Sequence, residues 1–173
     1  MKTTNTIRTL TTAALIAAMY TVLTVCLAPL SYGLVQCRLS EALTILAAFS
    51  PAAIPGLTVG CVVSNLIGLS SGANIAGALD VLLGSLATGI AAWLTWLMRD
   101  RHVGGLPLWS TLPPVVLNAL VIGTELAFVA PQFTVEVWVI EMGLVAVGQL
   151  VACVGGGLLV ARGLQVSGLD KRL

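Results

Sequence analysis

Charge is scarce in this sequence: only 9% of its 173 residues are charged, against 58% hydrophobic, and the mean hydropathy is +1.04. Soluble globular domains carry about 25% charged residues, so too little polar surface exists to cover a water-facing shell. Histidine is nearly absent. His102 stands alone beside Arg101, and no H-E-x-x-H zinc motif or G-x-S-x-G nucleophile occurs. The G-x-x-x-x-G-K-[ST] phosphate loop is missing too, which excludes ATP hydrolysis through that motif. Gly155-Gly156-Gly157 lies in an apolar run without the lysine and reads as a close-packing site. Cys26, Cys37, Cys61 and Cys153 lack C-x-x-C spacing, which argues against a structural zinc or thioredoxin-like site. They read as small apolar packing residues. A net charge of +1 points neither to nucleic acid nor to an acidic tail. No residue pattern requires a cofactor or metal.

What the chain does have is long apolar runs. About 20 apolar residues span a bilayer, and the length suits one domain over residues 1–173. Reading the runs against Pro and Gly breakers predicts an all-α polytopic membrane protein, a compact bundle of six transmembrane helices. The predicted helices run from Ile7 to Ala28, Arg38 to Phe49, Gly56 to Leu69, Ala76 to Met98, Pro113 to Pro131 and Val135 to Arg162. The second, third and fifth are short, as tilted, kinked or re-entrant segments would be. Lys2 and Arg8 ahead of an apolar run imitate a secretory signal. The run to Leu30 is longer than a signal core and no A-x-A site follows, so the segment is expected to be retained.

The basic residues set the orientation. Six crossings with both termini in the cytoplasm place Lys2, Arg8, Arg99, Arg101, Arg162, Lys171 and Arg172 inside and only Arg38 outside. Small residues recur every fourth position: Ala13/Ala17 and Ala14/Ala18; Gly56, Gly60, Ser64 and Gly68; Gly84, Thr88 and Ala92; Gly148, Ala152 and Gly156. Such stripes let helix backbones approach closely in lipid.

Ionisable groups within a bilayer are costly unless compensated, which makes each a functional candidate. In this topology Glu41, Asp80, Glu125, Glu136 and Glu141, five of the seven acidic residues, share the outer half with Arg38. Arg38 and Glu41 stand at i, i+3, and Asn118 and Glu125 at i, i+7. Trp138, Glu141, Val145 and Gln149 fall within about a quarter turn of one helix. Together they outline an outward-opening pocket. Plainer readings exist: an ion pair at a helix start for Arg38–Glu41, a helix-end role for Asp80, a headgroup position for Glu136, an interfacial belt for Trp138, and interhelical hydrogen bonds for Asn118 and Gln149. Glu125 and Glu141 lie within helices and are the strongest pocket candidates.

Four stretches, Arg38-Leu-Ser-Glu-Ala-Leu-Thr44, Pro51-Ala-Ala-Ile-Pro-Gly56, Gly84-Ser-Leu-Ala-Thr88 and Pro113-Pro-Val-Val-Leu-Asn118, resemble the QueT family. These are queuosine-precursor substrate-binding (S) components of energy-coupling factor (ECF) transporters, and the similarity runs from the first helix to the sixth. The resemblance implies a six-helix subunit in a prokaryotic plasma membrane that captures a scarce nutrient from outside. It also implies docking onto a transmembrane coupling (T) subunit and two cytoplasmic ATPases. An alanine-rich first helix supplies the coupling surface in such proteins, matched here by Ala13, Ala14, Ala17 and Ala18.

The implied substrate is a 7-deazaguanine base, above all its 7-aminomethyl form. Glu41, Glu125 and Glu141 suit its N–H edge and cationic amine. Trp138 or Tyr32 would stack on the ring, and Asn118 or Gln149 would read the carbonyl edge. Rival expectations are an S component for thiamine or riboflavin, a membrane-embedded enzyme using Glu125 and Glu141 as an acid–base pair, and a structural subunit without ligand.

Overall fold

A computed structural model describes residues 2–33 and 36–171. Arg172, counted above among the basic residues, lies outside the described residues. The elements are α1 (Lys2–Cys26), α2 (Ala28–Ser31), a 3-10 helix (Leu39–Ala48), α3 (Ala53–Ser70), α4 (Ala78–Leu97) and α5 (Leu112–Val129). They are followed by α6 (Val135–Gln149), which passes through a π-helical stretch (Leu150–Gly156) into α7 (Gly157–Ser167). Among the described residues no strand forms, only an isolated bridge between Val103 and Leu106. Pro55, Pro113 and Pro114 sit inside first helical turns, where no backbone N–H is needed. For that reason α3 and α5 start at Ala53 and Leu112, ahead of the expected Gly56 and Pro113.

Among the described residues five stretches are long and apolar enough to cross a membrane: Thr6–Cys26, Ala53–Ser70, Ala78–Leu97, Leu108–Val129 and Val135–Ser167. The expected second crossing differs from these. Leu39–Ala48 has ten residues in 3-10 geometry, about 20 Å at roughly 2.0 Å per residue, against a hydrocarbon core of about 30 Å. Its residues Ser40 through Ala47 are all buried, so the helix is sheathed by its neighbours along that stretch. That shielding is what lets it carry Ser40, Glu41 and Thr44.

Contacts between named residues fix the directions. Gly56 lies against Ala13 and Gly60 against Ala17 and Tyr20, so α1 and α3 run parallel. The Asn65–Asp80 and Thr58–Gly89 contacts make α3 and α4 antiparallel. Gly84–Ile122 with Thr95–Ser110, and Gly123–Met142 with Trp138–Thr124, do the same for α4–α5 and α5–α6. Consequently Arg38, Asp80, Glu125, Glu136 and Glu141 gather toward one end of the bundle, and Arg8, Arg99, Arg101 and Arg162 toward the other.

The small-residue stripes do close-packing work. A Cβ at Gly56 or Gly60 would stand 2.6 Å and 2.9 Å from the backbone oxygens of Ala13 and Ala17. At Gly148 it would meet the Gln36 oxygen at 2.3 Å. The 3-10 helix and the π stretch are seated together: Cys153 Sγ lies 3.7 Å from the Glu41 carbonyl oxygen, and a Cβ on Gly156 would be 3.0 Å from Ala42 Cβ.

Candidate functional site

Two buried polar centres lie side by side where the 3-10 helix begins. The first surrounds Glu41, which is fully buried. Its Oε1 accepts from Tyr20 Oη at 2.5 Å and Thr88 Oγ1 at 2.8 Å, and its Oε2 accepts from Thr44 Oγ1 at 2.9 Å. Three hydroxyls from three helices thus converge on one carboxylate. Arg38 does not pair with Glu41, correcting the i, i+3 ion pair expected from their spacing. Arg38 starts the helix from an extended backbone, and its side chain reaches α4 instead.

The second centre is built on that reach. Arg38 Nη2 donates to Asp80 Oδ2 at 2.8 Å, an ion pair only 2% and 0% exposed. Arg38 Nη1 points at Cys61 Sγ, 3.6 Å away, and its guanidinium lies 5.8 Å from the Tyr32 ring centroid, within cation–π range. Asp80 stands in the first turn of α4, where the helix dipole favours an anion. Its Oδ2 also accepts from Asn74 Nδ2 at 2.9 Å, and its backbone oxygen accepts from Asn65 Nδ2 at 2.7 Å. Asn74 sits in the loop between Gly72 and Gly77, both at positive φ, which favours glycine. Gly84 leaves room for the Asp80 carboxylate, because a Cβ there would stand 1.8 Å from Oδ1.

Glu125 completes the second centre with a different character. It is 3% exposed, within electrostatic reach of Asp80 and Arg38, and among the described residues neither of its carboxylate oxygens has a hydrogen-bond partner. Gln36 Nε2, Arg38 Nε and Asp80 Oδ1 are likewise buried and unpartnered. Leaving one such group unsatisfied costs about 1–3 kcal/mol, and more when it is charged. Among the described residues the buried charged groups are Arg38, Glu41, Asp80 and Glu125, one cation facing three carboxylates. Burial pushes the Cys37 thiol and the Tyr32 phenol up, so neither alters that balance near neutral pH.

The other expected residues are placed as follows. Asn118 and Gln149 are buried at 2% each, and Gln149 Oε1 accepts from Cys153 Sγ at 3.2 Å. Tyr32 is buried, with its hydroxyl donating to the Ser64 oxygen at 2.6 Å and its ring filling the space over Gly68. That ring packs the framework beneath Arg38. Trp138 and Glu141 lie further out. The Trp138 indole donates to Thr124 Oγ1 at 2.9 Å, clipping α6 to α5. Glu141 opens into a cavity of about 430 Å³ walled by Ile75, Leu126, Val129 and Val137, within the usual size range of ligand pockets. Glu136 is exposed. Tyr20, Gln36, Asn65 and Asn74 were not among the expected site residues, and Thr88 was expected only in a packing stripe. Tyr20 had a signal, since Ile16, Tyr20 and Thr24 share one face of the first helix at i, i+4 spacing.

On α1, Ala14 and Ala18 are exposed, while Ala13 and Ala17 are half-buried against α3. The expected four-alanine surface is therefore divided between internal packing and the outer face.

The family described as QueT transporter matches residues 10–165. The Queuosine precursor transporter QueT of Lactococcus lactis subsp. cremoris (strain MG1363) is 36% identical over 92 residues, which cover 52% of this chain and 50% of that protein. The aligned region thus spans about half the length of that relative. No solved structure matches the chain. The match is to transporters, which sets aside the acid–base enzyme reading of Glu125 and Glu141. A membrane-type helical bundle with buried ionic centres, matched over most of its length, belongs to the QueT transporter family.

Proposed function

We propose that the chain is the substrate-capture subunit of an energy-coupling factor importer. It binds a queuosine precursor, a 7-deazaguanine base in its 7-aminomethyl form, from the extracellular side. The observation that carries this reading is Glu125, a buried carboxylate with both oxygens unpartnered, beside an Arg38–Asp80 pair that already neutralises itself. A carboxylate accepts two N–H donors at once, and its charge strengthens both bonds. A ligand with an N–H edge and a cationic amine supplies the donors and the missing positive charge together. Glu141, Trp138, Asn118 and Gln149 are assigned to the entry side and walls of the same site.

The charge distribution supports cytoplasmic termini, with the arginine-bearing end inside and the acidic end outside. The partners are a transmembrane coupling subunit and two ATPases. α1 is the natural docking element: its span is the least buried of the five, at 17%, and Ala14 and Ala18 leave its outer face open to another helix.

A binding screen of the purified chain in nanodiscs tests the reading. Saturable binding of 7-aminomethyl-7-deazaguanine is expected, with no response to thiamine or riboflavin. Binding of either vitamin in its place would reassign the substrate, and no binding of any of them would remove the capture role.

A further inference from the structure

We propose that Gln36 is the residue that selects the base's lactam carbonyl, with its Nε2 donating to that oxygen while the Glu125 carboxylate accepts from the adjacent ring N–H and exocyclic amine. This rests on the deazaguanine reading above and assigns a specificity role to a residue outside the expected set.

The orientation of the Gln36 carboxamide is settled by chemistry. Arg38 Nη2 approaches one end of the amide at 3.4 Å, and a guanidinium only donates, so the atom facing it is the oxygen. Arg38 is in turn pinned by Asp80 at 2.8 Å. The backbone is held from two further sides: the Gln36 carbonyl presses on Gly148, and the next residue, Cys37, donates its N–H to Leu30 at 3.0 Å. With Oε1 committed to Arg38, the NH₂ end points away from it. That nitrogen belongs to a side chain 1% exposed and has no partner among the described residues.

Polarity then dictates the guest. Among the described residues this centre leaves the Gln36 amide donor and two Glu125 acceptor oxygens unpartnered, together with Arg38 Nε and Asp80 Oδ1, whose side chains already pair with each other through their other atoms. A guanine-type edge presents the complement in sequence: a carbonyl acceptor, a ring N–H donor and an exocyclic amine donor. Gln149 is less suited to the carbonyl, because its amide oxygen is turned to Cys153 and nothing charged fixes its rotamer. A base without the carbonyl leaves the Gln36 donor buried and unmatched. Sites built to hydrogen-bond a ligand group discriminate most strongly against ligands lacking it.

The test is a matrix of three ligands against three forms of the full chain in nanodiscs. The ligands are 7-deazaguanine, its 6-thioxo analogue, which keeps the ring N–H but offers a much weaker acceptor in place of the carbonyl oxygen, and its analogue without the 2-amino group. The forms are wild type, Gln36→Met and Glu125→Gln. Wild type is expected to bind 7-deazaguanine about 10- to 100-fold more tightly than either analogue. Gln36→Met should lose most of the preference for the 6-oxo group and keep the preference for the 2-amino group. Glu125→Gln should do the reverse.

Equal wild-type affinity for 7-deazaguanine and its 6-thioxo analogue would overturn the assignment without any variant. So would a uniform loss across all three ligands in Gln36→Met, the mark of a purely structural residue. Failure of wild type to bind any deazapurine would instead sink the functional reading on which the assignment stands. Should Gln36→Met not fold, Gln36→Leu and the wild-type comparison carry the same decision.

Discussion

Glu41 and Glu125 are both buried glutamates of the same bundle, yet their surroundings are opposite. Glu41 is enclosed by three hydroxyls that satisfy both its oxygens. Glu125 has no hydrogen-bond partner among the described residues. A satisfied buried carboxylate rigidifies the core it sits in. An unsatisfied one lowers stability and persists where something outside the chain completes it. The contrast teaches that burial of charge is a weak guide to function, and that the state of the hydrogen-bond ledger around it is a better one.

Substitutions can break this contrast or sharpen it. The largest effect is expected for Arg38→Met, which leaves Asp80 buried without its counter-charge. Stability should fall by about 3–5 kcal/mol, read as the denaturation midpoint in detergent. Glu41→Gln comes next. Its amide nitrogen cannot accept from the hydroxyls that one carboxylate oxygen served, for a loss of about 1–3 kcal/mol. Gly56→Val, a packing control set against Ala13 and Ile16, should cost about 1–3 kcal/mol by overpacking α1 against α3. Trp138→Phe removes only the indole bond to Thr124 and should cost about 1 kcal/mol, measured in the same denaturation series. A drop for Glu125→Gln comparable to that of Glu41→Gln would erase the distinction between the two centres.

The sequence made much of the architecture legible. Apolar runs bounded by Pro and Gly located the five long spans to within a few residues, because helices in lipid must satisfy their backbones internally. The second helix was readable as short but not as a 3-10 segment wrapped on all sides, since Leu39–Ala48 gains that geometry from neighbours distant in the chain. Position within a helix marked Glu125 and Glu141 as unusual; Glu125 is buried without a partner among the described residues, and Glu141 borders a cavity. Partnership was not legible: Arg38 lies nearer in sequence to Glu41, but its bond runs 42 residues away to Asp80. Gln36 and Asn74 stayed hidden for the same reason, as polar residues in connecting segments carry no periodic signal. The alanines of α1 were legible as a stripe, but only α3 determines that Ala13 and Ala17 face inward while Ala14 and Ala18 do not.

The most direct measurement compares thermal unfolding of wild type and Glu125→Gln, each with and without 7-aminomethyl-7-deazaguanine. Ligand at a hundred times its dissociation constant should stabilise wild type by about 2.7 kcal/mol. Glu125→Gln should unfold at or above the wild-type temperature when unliganded and show little response to the same ligand concentration. Full ligand stabilisation of Glu125→Gln, or its collapse in the unliganded state, would contradict the role given to that carboxylate.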